Sequence, residues 1–358
     1  IASTLLRIIG TKKSPVAMNL TGMIVSIPVF CDSAFIILSS LNKALSKKTG
    51  ISLVVFTVAL STGLYVSHVF TPPTPGPLAA AAALEADLGL VILLGSILAI
   101  PTALVGYFWA LRCNTPMATN QNITSDNIEK PTEKLPSLLT VIAPILIPIL
   151  LIALQSIASY PSAPFDTGTL VDVLVFMGHP LTALFIGILF AVALVYKTTN
   201  GQERLGWIST SLQDAGIIIL ITGAGGALGN ILRAAELGNL IETHFSERQL
   251  GLFLPCILAA ILKTAQGSST VAIITTATII APLTPSLGLD TEIAKALAVL
   301  AIGAGSMTVS HINDSYFWVV SQFSGMTTKT TLKSHTLATF FQGIVAIVLL
   351  YILQIAFK

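Results

Sequence analysis

A short polar interruption inside a long apolar stretch carries the strongest chemical signal in this sequence. It contains a glycine, which allows close backbone approach, and three successive hydroxyl side chains, which supply donors without charge. Its residues are Gln266, Gly267, Ser268, Ser269 and Thr270. If one helix ends there and another begins, the free N–H groups of the new helix can hold a carboxylate. The alternative is a helix contact lined by Ser and Thr, which is common in membranes.

Two aspartates in apolar surroundings are candidates for proton carriers. Asp32 stands in the segment 29–35, next to Ser33, and Asp314 stands in the segment 311–317. A charged side chain at the centre of a membrane costs on the order of 3 kcal/mol, so a carboxyl group there is a functional candidate. The alternative role for each aspartate is to cap a half-helix, as Asp commonly does.

Two histidines end identical Val-Ser-His triplets. His68 and His311 are separated by 311 − 68 = 243 residues, and the upstream polar residues Ser33 and Ser269 by 269 − 33 = 236 residues. A histidine can bind an anion or relay a proton, although a single histidine is usually a packing residue. Two polar interruptions that recur in the same order at nearly the same offset predict a duplicated architecture, as in secondary transporters.

Two polar segments near these histidines predict breaks in helices. Thr71–Pro77 contains three prolines within four residues and cannot continue a helix, so we expect unwound backbone directly after His68. In the other half, Asn313–Ser315 follows His311. Each segment would expose backbone groups to a ligand within a discontinuous helix. An ordinary turn outside the membrane is the alternative.

Lys263 lies in the apolar stretch just before the hydroxyl cluster. Three roles are open for a lysine in such surroundings. It could extend to the membrane surface, pair with a buried aspartate or attract an anion. The sequence alone does not decide among them.

The composition places all these residues in a membrane protein. Of the 358 residues, 54% are hydrophobic and only 9% are charged, whereas soluble domains carry about 25% charged residues. We therefore expect an all-α integral membrane protein with the lipid bilayer as its solvent. The net charge of +2 gives no reason to expect a nucleic-acid partner. Neither a nucleophile–base set nor a metal-ligand cluster is recognisable, so we expect no enzyme, no cofactor and no metal.

Charge placement predicts two oppositely oriented re-entrant hairpins. The hairpin 14–42 has basic residues on both sides and is too long for one span and too short for two. The hairpin 249–289 is entered from the opposite side, and this arrangement places 13 of the 18 Lys and Arg residues in the cytoplasm. The repeat units are 1–111 and 138–358, joined by a polar cytoplasmic linker at 112–137. Because the first residue is Ile and not Met, we expect the N-terminal part of the first unit to be missing.

Five stretches resemble the gluconate:proton symporter family, the GntP-type gluconate permeases. They are Gly22–Phe30, Ser67–Pro77, Gly223–Gly229, Thr264–Ala272 and Asn313–Trp318. The resemblance implies an inverted-repeat secondary transporter with two re-entrant hairpins and discontinuous helices. It also implies a multi-pass protein of the bacterial inner membrane that imports sugar acids such as gluconate together with protons.

The chain departs from the family pattern at the expected site. Some members have Tyr-Asn where this chain has Cys31-Asp32, and some have His where Thr74 stands. The substrate therefore stays open among gluconate, a shorter hydroxy acid such as glycerate, and another polyhydroxy carboxylate.

We expect the two hairpin tips and the two helix breaks to meet around one small anion. Asp32 and Asp314 would provide the proton-coupling groups. Na⁺ coupling is an alternative, because hairpin carbonyls and hydroxyls could also ligate Na⁺; an anion channel is an alternative of a different class. A homodimer is also left open. The expected substrate-binding residues are Ser33, His68, Gln266, Gly267, Ser268, Ser269, Thr270, His311 and Asn313.

Overall fold

Helices account for all the regular structure in the described part of the chain, which contains no β-strand. This confirms the predicted all-α architecture. The Gly223–Gly229 segment and nearly all of the predicted linker 112–137 lie outside the described residues. The computed structural model describes residues 13–27, 30–113, 138–158, 169–198 and 251–357, and a few single positions between 205 and 216.

Five helices form a first set in the N-terminal part of the chain. Local sequence explains several of their ends. The second helix stops at Gly50, which adopts a left-handed φ of 73°, and the side chain of Asp87 caps the fifth helix by accepting a 2.7 Å hydrogen bond from Leu90 N. The first helix set comprises α1 (Ser14–Val25), α2 (Cys31–Thr49), α3 (Leu53–Phe70), α4 (Pro75–Ala83) and α5 (Leu88–Arg112).

Three further helices belong to a separate compact unit of the chain. They are α6 (Leu138–Ala158), α7 (Thr169–Gly178) and α8 (Pro180–Thr198). α6 contacts both α7 and α8. Gly187 of α8 lies against Pro148 of α6, where an added Cβ would come within 2.6 Å of the proline ring. Small residues at such contacts let membrane helices approach closely.

A second helix set repeats the order of the first. A short helix, a break and another helix are followed by a broken helix and then by a long terminal helix. The long helix is preceded by α13 (Thr328–Thr331) and by a π-helical turn at Leu332–Thr336. The second helix set comprises α9 (Phe253–Gln266), α10 (Ser269–Ile280), α11 (Glu292–Met307), α12 (Ser315–Ser324) and α14 (Leu337–Ala356).

The two helix sets make reciprocal contacts. Within the first set, α1 packs on α3 and α3 on α5; within the second, α9 packs on α11 and α11 on α14. Between the sets, α2 contacts α12 while α10 contacts α4, and the long helices α5 and α14 contact each other. A pseudo-two-fold relation between duplicated halves produces contacts of this kind. The opposite membrane orientation of the halves remains a prediction.

Helix length separates membrane-spanning candidates from shorter helices. By length and composition, three helical stretches in the described residues are long and apolar enough to cross a membrane: Leu53–Ala83, Leu88–Arg112 and Thr328–Ala356. The first comprises α3 and α4, the second is α5, and the third comprises α13, the π-helical turn and α14. The helices α1, α9 and α10 have 12, 14 and 12 residues. At 1.5 Å per residue they are about 18–21 Å long, short of a hydrocarbon core of about 30 Å. Two short arms around a break fit the predicted hairpin 249–289. In the predicted hairpin 14–42 only the first arm is short, because α2 has 19 residues and continues to Thr49. Re-entry of both hairpins stays a prediction.

The outer face of α14 is apolar along its length. Exposed side chains recur at intervals of three or four residues, which is one face of a helix. The opposite face carries small and polar residues such as Gln342, Gly343 and Ala346, all buried. An apolar outer face with a polar inner face is what a helix between lipid and a polar interior requires. The exposed residues include Phe340, Ile344, Val348, Ile352 and Ile355.

The first helix break is shorter than the sequence predicts. α3 continues two residues beyond His68 to Phe70, and α4 already begins at Pro75. Only Thr71–Thr74 is unwound, because prolines in the first turn of a helix need no N–H partner. The predicted break at Thr71–Pro77 therefore ends earlier than expected.

The second break contains more residues and changes the relation between the two triplets. α11 ends at Met307 and α12 begins at Ser315. His68 thus lies inside a helix, whereas His311 lies in the unwound segment. The identical Val-Ser-His triplets occupy different places in the two helix sets, and the order of the helices carries the similarity between the sets.

Glycines permit the closest helix contacts in both sets. Gly63 of α3 faces the backbone carbonyl of Asn19 in α1, and Gly305 of α11 faces that of Cys256 in α9. A Cβ atom at either glycine would overlap the facing carbonyl. Asn19 also donates a 2.8 Å hydrogen bond to the carbonyl of Ala59. In each set, the first helix therefore packs against the third through a glycine of the third helix.

Replacing Gly63 or Gly305 by Ala should lower the stability of the protein by about 1–3 kcal/mol, because each methyl group overpacks a backbone contact. Thermal unfolding of the detergent-purified protein measures the effect. Gly216→Ala is a matched control, since no atom of the described residues lies within 4 Å of its Cβ position. Unchanged melting temperatures for both variants would show that these helices do not approach so closely.

Candidate functional site

The break between α9 and α10 meets the break between α11 and α12. Gly267 adopts a left-handed φ of 77° at the first break, and a Cβ there would collide with the backbone carbonyl of Asn313 at the second. The amide of Asn313 donates a hydrogen bond to the carbonyl of Thr264. Gly267 is therefore required both by its backbone conformation and by this close approach.

A buried ion pair joins the same two breaks. Lys263 Nζ lies 2.7 Å from Asp314 Oδ2, and the exposed fractions of the two side chains are 0% and 3%. Lys263 also donates to the carbonyl of Gly267 at 3.2 Å and lies 5.9 Å from the ring centre of Tyr65. Buried charges are tolerated when they are paired and hydrogen-bonded. Of the three roles open for Lys263, the structure shows pairing with a buried aspartate.

Asp314 combines this ion pair with a helix cap. Its Oδ1 accepts from Tyr316 N at 3.1 Å, which caps α12, and its Oδ2 accepts from Ser310 Oγ at 2.5 Å. Its backbone N–H donates to the carbonyl of His311 at 2.8 Å. Both carboxylate oxygens therefore have donors, and the negative charge is balanced inside the protein.

A hydrogen-bonded chain continues from Asp314 to a second buried histidine. Ser310 Oγ lies 3.3 Å from His335 Nε2, and His335 Nδ1 lies 3.0 Å from Ser61 Oγ. The ring of Tyr316 meets the His335 ring edge-on at 5.4 Å between centroids, and its hydroxyl donates to the Ser61 carbonyl at 2.9 Å. The chain thus connects the helix break to α3 and to the π-helical turn.

Little in the sequence points to a role for His335. It stands at the start of an apolar run. A histidine in such a place is expected to lie near the polar end of a membrane helix. The π-helical turn holds it in a fully buried position, and such turns are frequent at functional sites. The only local sign is the segment Thr330–Thr336, in which every residue except Leu332 is polar, which is long for the beginning of a spanning helix.

The three hydroxyls at the start of α10 have different partners. Ser268 caps α10 by accepting from Val271 N. Ser269 Oγ lies 2.6 Å from Tyr65 OH, and Thr270 Oγ1 lies 3.3 Å from His68 Nε2. The other ring nitrogen of His68, Nδ1, is buried without a hydrogen-bond partner among the described residues. The hydroxyl cluster is therefore held against α3 through Tyr65 and His68.

Asp32 differs from Asp314 in its surroundings. It is the second residue of α2 and is only partly buried, yet its Oδ1 is buried without a hydrogen-bond partner. It interacts electrostatically with both Asp314 and Lys263. The adjacent Phe30 ring lies 5.8 Å from the His68 ring between centroids. The start of α2 therefore lies beside the cluster, with a carboxylate oxygen that the described protein leaves unpaired.

The structure brings some of the predicted site residues into direct contact and leaves others at the edge. His68, Ser269, Thr270, Asn313 and Asp314 contact residues of another helix or break. Other predicted residues lie in less enclosed positions: Ser33 and Gln266 are exposed and His311 is half-buried, and Asn313 is exposed despite its contact with the first break. The sequence did not single out four residues of the connected cluster: Ser61, Tyr65, Ser310 and His335.

Comparison with known proteins gives consistent matches along the chain. A family model described as GntP family permease matches residues 1–356. A gluconate permease of Pseudomonas aeruginosa is 32% identical over 99% of this chain and 79% of its own length. The Gnt-II system L-idonate transporter of Escherichia coli (strain K12) is 32% identical over 94% of this chain and 76% of its own length. An uncharacterised permease of Haemophilus influenzae is 33% identical over 91% of this chain and 69% of its own length.

Tyr65→Phe should loosen the start of α10, because it removes the 2.6 Å hydrogen bond to Ser269. A neutral hydrogen bond contributes about 1 kcal/mol, so amide hydrogen exchange at residues 267–271 should become about fivefold faster. Mass-spectrometric exchange on the purified protein measures this. Tyr351→Phe, on the outer face of α14, is the matched control; equal rates in the two variants would contradict the role of Tyr65.

Proposed function

The chain belongs to the GntP family of permeases, and on this premise we propose that it imports gluconate or a related sugar acid by proton symport. It is a multi-pass membrane protein, and we place it in the bacterial inner membrane. Two of the similar proteins are named for gluconate and L-idonate. Both acids carry one carboxylate on a chain of hydroxyl groups, and a site for them needs uncharged donors and acceptors around a place for one negative charge.

The contact between the two helix breaks is the observation that carries this proposal. There, unwound backbone, a helix start and a buried lysine occur together, as in transporter sites formed by discontinuous helices. We assign the substrate carboxylate to Ser268, Ser269, Thr270 and the first N–H groups of α10. The hydroxyl groups of the substrate would bond to the remaining predicted residues, some enclosed and some at the edge of the cluster, namely Ser33, His68, Gln266, Gly267, His311 and Asn313.

Proton coupling follows from the membrane potential. Importing one negative charge against an inside-negative potential costs about 2.3 kcal/mol per 100 mV, so accumulation requires a co-transported cation. We assign the proton to Asp32 and Asp314. Asp32 is partly exposed and has a buried oxygen with no hydrogen-bond partner in the part of the chain that the structure describes, so it can receive a proton and pass it to the enclosed Asp314.

The proposed architecture has inverted repeat units at 1–111 and 138–358, each containing one re-entrant hairpin, with the cytoplasmic linker 112–137 between them. The repeated order of helices and the reciprocal contacts between the two helix sets support the duplication. The part of the second unit that follows the order of the first is 253–356. A homodimer remains a prediction from the sequence.

Uptake of radiolabelled sugar acids by cells that produce the full-length protein tests the substrate and the coupling. We expect accumulation of gluconate or a related acid, alkalinisation of the medium, and loss of accumulation on addition of an uncoupler. Uptake that depends on Na⁺ and not on protons would show that Na⁺ is the coupling ion. Conductance without saturation in proteoliposomes would favour an anion channel.

Asp32→Asn should abolish accumulation of the transported acid, because the amide cannot carry the proton. Exchange of labelled for unlabelled substrate across the membrane should continue, since the net movement of a proton is not needed there. Counterflow in proteoliposomes measures the exchange. Asp290→Asn, at an exposed position, is the matched control; normal accumulation by the Asp32 variant would remove this residue from the coupling.

A further inference from the structure

Lys263 is the only Lys or Arg that is fully buried among the residues whose burial the structure describes. Its one partner of opposite charge is Asp314. The pair lies at the meeting point of the two breaks, and Lys263 Nζ also touches the carbonyl of Gly267, one residue before the cap of α10. A substrate carboxylate at the start of α10 would therefore arrive next to a cation that is already paired.

We propose that the carboxylate of the substrate and the carboxylate of Asp314 bind Lys263 in turn, and that this exchange couples the anion to the proton. The inference rests on the proposed sugar-acid transport. Two carboxylates and one lysine would leave an excess negative charge in a buried site, which is costly. The substrate can replace Asp314 only when Asp314 has taken up a proton.

The exchange conserves charge and makes no covalent bond apart from one O–H bond. A proton adds to Asp314, the ion pair with Lys263 breaks, and the substrate carboxylate accepts the hydrogen bond from Lys263 Nζ. Lys263 and the carboxylate that is paired with it together hold one positive and one negative charge, both before and after the exchange. One proton therefore accompanies each monovalent anion, and release of the anion returns Asp314 to Lys263 once the proton has left.

The hydrogen-bonded chain behind Asp314 can satisfy both protonation states. Ser61 donates to the carbonyl of Val58 at 3.2 Å, so its Oγ can accept from Nδ1–H of His335. His335 Nε2 is then an acceptor. With Asp314 ionised, Ser310 donates to the carboxylate and accepts from Nε2–H of His335 in its other tautomer, whose Nδ1 accepts from Ser61 Oγ. With Asp314 protonated, the acid donates to Ser310, Ser310 donates to Nε2, and Nδ1–H of His335 donates to Ser61 Oγ. Neither protonation state of Asp314 leaves the hydroxyl of Ser61 or of Ser310 without a hydrogen-bond partner.

Several other titratable groups face Asp314 from the surrounding helices, and they bear on its pH response. Lys263 and Asp32 are the ones among them whose side chains are ordinarily charged at neutral pH. In the proposed function Asp32 passes a proton on to Asp314 and holds none itself before or after the exchange. The groups are Cys31 and Asp32 of α2, Tyr65 and His68 of α3, Lys263 of α9, Tyr316 of α12, and His335 of the π-helical turn.

The experiment measures equilibrium binding of radiolabelled gluconate to the purified full-length protein over a series of pH values. For the unaltered protein, binding should weaken by about tenfold per pH unit on the alkaline side, as one linked proton requires. Asp314→Asn cannot ionise and leaves Lys263 free. Its affinity should stay within about twofold of the acidic value at every pH.

Lys263→Gln should weaken gluconate binding by about 100-fold at every pH, because it removes the buried cation. The double variant Lys263→Gln/Asp314→Asn removes both charges and leaves no unpaired one; it should bind as weakly and remain folded, as size-exclusion chromatography will show. Lys329→Gln and Asp290→Asn, both at exposed positions, are charge-matched controls and should bind like the unaltered protein.

The outcomes separate the two proposals. If the unaltered protein neither binds nor transports gluconate or any acid of the uptake panel, the proposed function fails and the exchange with it. If the unaltered protein transports such an acid but the Lys263→Gln variant or the double variant binds it normally, the exchange alone is overturned. A pH dependence retained by Asp314→Asn would likewise overturn it.

Discussion

A charge buried among apolar helices must find its counter-charge within the protein, and much of this site follows from that constraint. Lys263 and Asp314 meet this requirement with a 2.7 Å ion pair between a hairpin break and a helix break. The pair requires close backbone approach at Gly267, and the remaining lone pairs of Asp314 require Ser310 and the first N–H groups of α12. The chain from Ser310 to His335 then fixes the site to the surrounding helices.

Features that depend on local chemistry could be predicted from the sequence. The low charge content predicts helices in a bilayer, since each backbone group must be satisfied within its own segment. Gly267 with the following serines predicts a helix end and a new helix start, and α9 and α10 do end and begin there. The prolines after Phe70 predict a break, although the rule that proline is tolerated in a first turn shortens it to Thr71–Thr74.

Features that depend on distant partners could not be predicted in this way. Lys263 has the same sequence surroundings whether it pairs, extends to the surface or binds an anion, and only the fold brings Asp314 to it. His335 meets Ser61 across 274 residues, after a π-helical turn that no residue type signals. The repeated Val-Ser-His triplets misled for the same reason, because three residues can recur by chance at positions with different backbone conformations.

The separation between partners also has a consequence for how the protein is made. At about 5–20 residues per second, the ribosome needs some tens of seconds to reach His335 after it has completed Ser61. During this interval the polar groups of α3 are already in or near the bilayer without the partners that α10, α12 and the π-helical turn supply. The helices made first therefore lack their hydrogen-bonding partners until the later helices have been inserted. Until then, the insertion machinery has to keep their hydroxyls and amides out of contact with lipid, which cannot solvate them.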